Sequence, residues 1–165
     1  MFYLVQIHQR IPEGEVQAFL QEVERILGDP RGWPGVTFTR VTTEEDILRV
    51  PTEQAFIIRL TPLGVMEKKY PEFKENQLSV ANLTDRTIDI NHCRWTAQCP
   101  NKSQLPLEQY HEYVILHEVG HILGKPHPHP ASLPSKGPAP VMMQQTLGIQ
   151  HLQPNSWPTK FDHTI

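Results

Sequence analysis

Residues 117–127 read His117-Glu118-Val119-Gly120-His121-Ile122-Leu123-Gly124-Lys125-Pro126-His127. The pattern is H-E-x-x-H-x-x-G-x-x-H: three imidazoles, a carboxylate and a glycine at fixed spacing. A shuffled chain of this composition would contain it with a probability on the order of 10⁻⁴, so chance is a poor explanation. His117 and His121 are four residues apart, which on a helix is one turn along one face, and both rings can reach a single ion. Glu118 lies about 100° round the helix from His117. It is placed beside the ion rather than on it, where a carboxylate can hold a metal-bound water and take its proton during attack on a carbonyl. Gly124 suits a left-handed helix cap, and Pro126 prevents the helix from continuing. The turn between them can bring His127 back as a third ligand. Three protein ligands leave a fourth position for water, the pattern of a catalytic rather than a structural zinc site.

The helix bearing this motif is expected over residues 107–123. Ahead of it, residues 2–9 read as a strand, and residues 13–27 as an amphipathic helix whose stripe is Val16, Phe19, Leu20, Val23, Ile26 and Leu27. Strands are expected at 36–41, 55–60, 78–83 and 87–91, the last two around the Thr84-Asp85-Arg86 turn. From Lys125 to Pro140 six prolines punctuate a loop with little regular structure. No internal repeat is visible.

These residues resemble the metzincin metallopeptidases, in which the three-histidine motif is followed by a tight methionine turn beneath the metal. Pro140-Val141-Met142-Met143-Gln144-Gln145-Thr146 stands where that turn would be. The resemblance favours Met142 as the turn residue, with Met143 as the alternative; simple core filling is the competing reading of either. The run from Ala139 to Gly148, with Pro154-Asn155-Ser156-Trp157-Pro158, Asp29 to Trp33 and Ile90 to Trp95, is similar to a bacterial family of small metzincin-like domains. The resemblance implies an α/β (α+β) catalytic domain with a mixed, mostly parallel twisted sheet, an antiparallel edge strand, two long helices and a minimal C-terminal subdomain. Residues 1–124 would carry the sheet and active-site helix, and 125–165 the methionine turn. By the same resemblance Leu78, Ser79, Val80, Ala81 and Asn82 would form the edge strand and bind extended peptide by strand addition. An internal strand with no substrate role is the competing reading. Two departures stand out. Gln144 occupies the place where astacins and serralysins carry a metal-reaching tyrosine. Ser132, Leu133 and Leu152 lie where members of the narrower family often carry cysteines, which weakens any inference of secretion.

With 165 residues the chain forms one domain with room for a core. A formal charge of −3 gives no case for nucleic acid or an anionic membrane, and no apolar run is long enough for a membrane span. Residues 2–7 are too short and interrupted for a signal-peptide core, so the compartment is left open. A monomer is the expected state. Cys93 and Cys99 bracket a short loop before the active-site helix; a disulfide and two free thiols fit equally well. His129 competes with His127 as ligand, although the spacing from Gly124 favours His127. The expected function is that of a zinc-dependent endopeptidase acting on a peptide or protein substrate, with Glu118 as general base. The alternative is a non-catalytic zinc-binding module in which His129 closes the fourth position.

Overall fold

The computed structural model describes residues 1–165 and shows an α/β fold with a mixed five-stranded sheet and five helices. In chain order the elements are β1 (Phe2–Ile7), α1 (Glu13–Gly28), β2 (Thr39–Val41), α2 (Glu44–Leu48), β3 (Ala55–Thr61), α3 (Leu63–Lys69), β4 (Val80–Asn82), β5 (Thr87–Asn91), α4 (His92–Trp95) and α5 (Leu107–Ile122). The sheet order is β2-β1-β3-β5-β4, parallel throughout except for β4, which runs antiparallel at the edge. The expected strands at 2–9, 36–41 and 78–83 are shorter than the sequence suggests. The short helices α2, α3 and α4 had no periodic signal, being too brief to repeat an apolar face. Their ends are set locally instead, as where the Thr43 hydroxyl accepts from Asp46 N and caps α2.

Side-chain alternation divides the sheet into two faces. Tyr3, Phe56, Ile58, Leu60, Ile88 and Ile90 point to one face and join Phe19, Val23 and Ile26 of α1 and Val114, Ile115 and Val119 of α5 in the main core. The register aligns these layers: Tyr3 faces Phe56, Ile58 faces Ile88, and Leu60 faces Ile90. On the other face a small cluster of Leu4, Ile47 and Ala55 gives way to polar residues. There the buried Asp89 carboxylate accepts from Thr61 Oγ1 at 2.9 Å, Lys69 Nζ at 2.6 Å and the Tyr70 hydroxyl at 2.6 Å. No helix is long and apolar enough to cross a membrane.

Helix α1 is amphipathic as expected: Phe19, Val23, Ile26 and Leu27 are buried, with Val16 and Leu20 on the margins. Helix α5 is buried nearly all round, from Tyr113 through Gly120, because the sheet covers one side and residues 139–147 the other. Cys93 and Cys99 are joined in a disulfide.

Of the glycines, Gly120 is the most tightly enclosed. A Cβ there would stand 2.7 Å from Trp33 Cζ2 and 3.2 Å from Met142 Cε, and would overlap Met142 Sδ. Gly120→Ala is therefore expected to cost about 1–3 kcal/mol by overpacking, and Met142→Ala about 2–5 kcal/mol by leaving a cavity. The double variant should lose less than the sum, because the cavity accepts the added methyl. Urea unfolding of the four proteins checks this; strict additivity would mean that the two residues do not press on one another.

Candidate metal centre and cleft

The C-terminal end of α5 explains how the three histidines meet. Lys125 N donates to Gly120 O at 2.9 Å and Gly124 N to His121 O at 2.9 Å, the paired bonds of a Schellman cap. Gly124 takes φ +85°, which a residue with a Cβ enters only with strain. The chain reverses there and carries His127 back over the helix. His127 Nε2 comes to 3.1 Å from His117 Nε2 and 3.0 Å from His121 Nε2.

Hydrogen bonds to the other ring nitrogens decide which lone pairs face inward. His117 Nδ1 is 2.7 Å from Val141 O, and His121 Nδ1 is 2.8 Å from Lys125 O. Carbonyl oxygens only accept, so each Nδ1 carries the proton and each Nε2 presents a lone pair. Burial lowers the pKa of all three rings, His117 to about 3 and His127 to about 4, with the neighbouring His121 adding to both. Neutral imidazoles at these distances offer at most one N–H to share among three nitrogens, whereas one cation satisfies all of them. Nitrogen ligands of a tetrahedral zinc lie roughly 3.3 Å apart, close to the observed spacing. An all-imidazole set suits zinc among the biological divalent ions, although copper and nickel share the preference. The donor set therefore fits the ion that the motif implies. His129 stands outside it: its Nδ1 accepts from Ala131 N at 3.1 Å in the proline-rich loop.

Glu118 opens into the same cleft, of about 210 Å³, beside His117, His121 and His127. Burial raises its carboxyl to about 8, opposed by a hydrogen bond from the Ala81 backbone. Leu78, Ser79, Val80 and Ala81 form one wall. Asn82, the fifth residue expected there, turns away and closes the β4–β5 turn through Asp85. Tyr113, Val114 and Thr146 line the opposite side, and Phe73 and Leu83 flank the edge strand. Met142 lies fully buried beneath the helix, at the tip of a turn closed by Met143 N donating to Pro140 O at 3.1 Å. Met143 packs instead with Ala139, Ile149 and Leu152 in a separate cluster.

Sequence reasoning missed Gly120, which admits Met142, and Asp162, which holds the turn. The Thr159-x-x-Asp162 spacing was a visible signal for the latter, since it is the pattern by which a hydroxyl and a carboxylate close a turn reciprocally.

The shifted groups act on stability in opposite directions. Below pH about 6.5 the unfolded chain protonates histidines that the folded chain keeps neutral, so stability falls as pH drops toward 4. Between about 4.5 and about 8 the folded chain holds a proton on Glu118 that the unfolded chain has lost, so this group costs stability as pH rises. Metal-free Glu118→Gln is thus expected to exceed the metal-free parent at pH 8 by a few kcal/mol, with the gap shrinking toward pH 5. Urea midpoints at the two pH values check it; a constant gap would place Glu118 in a solvated setting.

Set beside known proteins, the chain matches no curated protein and no solved structure. Residues 2–161 match the family described as a protein of unknown function, DUF3152, and with nearly its whole length covered the chain belongs to that family.

Proposed function

We propose that the protein is a zinc-dependent endopeptidase with a metzincin-like catalytic domain. The observation that carries this reading is the convergence of the Nε2 atoms of three histidines, two of them with the lone pair turned inward, with a buried carboxyl at one end of a cleft walled by an antiparallel edge strand. His117, His121 and His127 would hold the metal, and their Nδ1 bonds fix two of the rings for it. When bound, zinc acidifies a water and polarises a carbonyl.

The remaining work falls to the chain's own groups. Strand β4 pairs with β5 on one side only, so its outer backbone groups can take an extended peptide as a further strand. The apolar residues Phe73, Leu78, Leu83 and Val114 can receive a side chain of that peptide and exclude water. Glu118 takes the proton of the attacking water and returns it to the departing amide nitrogen, a double task for which its buried carboxyl faces the cleft beside the three histidines. The position of His129 bears on the alternative of a structural module. A closed structural site needs a fourth ligand, and His129 is engaged elsewhere.

Zinc-loaded parent and Glu118→Ala, incubated with a complex peptide library and read by mass spectrometry, test the proposal. Glu118→Ala should keep its zinc and lose cleavage by about 10³-fold or more. Undiminished cleavage by that variant would sink the mechanism, and a parent that binds no zinc would sink the whole reading.

A further inference from the structure

The two ring-orienting bonds of the histidine cluster differ in what stands behind them. Lys125 O, the partner of His121, belongs to the helix cap itself, four residues away, and its position follows from the Schellman bonds. Val141 O, the partner of His117, lies 24 residues further along the chain, so something else must hold it in place.

That something is Asp162. Its carboxylate is fully buried, and no cation is paired with it. Oδ2 accepts from Val141 N at 3.0 Å, Thr159 N at 2.7 Å and Thr159 Oγ1 at 2.8 Å, and Oδ1 accepts from Met142 N at 2.9 Å. Met142 N–H and Val141 C=O are the two ends of one peptide unit. That unit is planar and trans, so its N–H and C=O point in opposite directions. Asp162 therefore grips one end of the plane while His117 Nδ1–H, 2.7 Å from Val141 O, meets the other. A charge on the N–H side polarises the carbonyl and strengthens the bond that it accepts.

We infer that Asp162 is a positioning residue for His117, acting through the Val141–Met142 peptide to fix the ring's tautomer and orientation. It stands as the carboxylate of a carboxylate–histidine–metal relay with a peptide group inserted between its first two members. The metal end of this relay rests on the function proposed above; the tautomer end does not.

The test is Asp162→Asn, which keeps the shape of the side chain but turns an NH₂ toward amides that need an acceptor. Two readouts are taken: side-chain ¹⁵N signals of the histidines in metal-free protein, and zinc affinity by competition with a chromophoric chelator. In the parent, His117 should carry its proton on Nδ1 alone. In the variant its signals should shift toward a tautomer mixture while those of His121 stay in place, and zinc should bind about 10–100-fold more weakly. Unchanged His117 signals would overturn the inference, as would equal disturbance of His117 and His121, which would mark a general loosening. Should Asp162→Asn not fold, Thr159→Val decides. It removes one bond to Oδ2 and leaves the turn amides in place, so it should move the His117 signals alone and by less; no movement overturns the inference. A parent that takes up no zinc would count against the proposed function, while the ¹⁵N signals would still decide the role of Asp162.

Discussion

Helix α5 is buried on almost every side, yet it carries His117 and Glu118 at about one-twentieth exposure. A buried polar group without a partner is costly, so the fold must supply partners for each one the helix brings inside. Most come from a single stretch of chain. Residues 141–146 accept from His117 Nδ1 and from the Tyr113 hydroxyl, and pair with the Tyr110 hydroxyl through Thr146. That stretch has buried amides and carbonyls of its own. Asp162 takes two of the amides, and the Gln145 side chain ties the stretch to the chain on either side by donating to Pro140 O and Asn155 O. The last 40 residues are thus the polar complement of the helix, and the histidine geometry depends on them although they contribute only one of its rings.

The same dependence explains what could be read from the sequence. The motif spacing gave the site because helix geometry converts four residues into one turn, and Gly124 with Pro126 into a reversal. Strand β3 was legible from its β-branched residues, β5 from the Thr84-Asp85-Arg86 turn ahead of it, and α1 from its stripe. The edge position of β4 came only through the metzincin resemblance. Gly120 was not legible, because it falls at a free position of the motif and its need arises from Trp33 and Met142, both distant in sequence. Asp162 was legible only as part of a local turn: a Thr-x-x-Asp spacing announces that turn and says nothing of the peptide 20 residues earlier that completes it.

The cleft wall shows the same arrangement of short elements anchored from afar. Strand β4 has only three residues, too few to hold a position unaided. The segment before it is tied instead to α4 and the end of β5. Arg94 donates to Asn76 O at 2.6 Å, Asn91 Nδ2 donates to Gln77 O at 3.1 Å, and Asn91 N donates to Ser79 Oγ at 3.0 Å. Helix α4 spans only four residues, and the Cys93–Cys99 bridge closes the loop that follows it. His92 then ties α4 to Glu15 of α1 at 2.6 Å. The wall facing the histidines is thereby referred back to the core through a buried guanidinium and a disulfide, neither of which lines the cleft.

Electrostatics links the wall to the cluster. Burial drives all four titratable groups toward their neutral forms: three imidazoles without protons and a carboxyl with one. A dication held by the imidazoles would reverse the balance at Glu118, because an opposite charge within a few ångströms favours the carboxylate. By linkage, ion binding and loss of the Glu118 proton promote each other. The carboxyl would then become a base where the ion is held, while the low-polarity surroundings that raise its pKa keep it able to give the proton back. A solvated glutamate at the same spacing would ionise whether or not an ion was present, and would return its proton less readily. The apolar surroundings of Glu118 would therefore make its protonation respond to whether the imidazoles hold an ion.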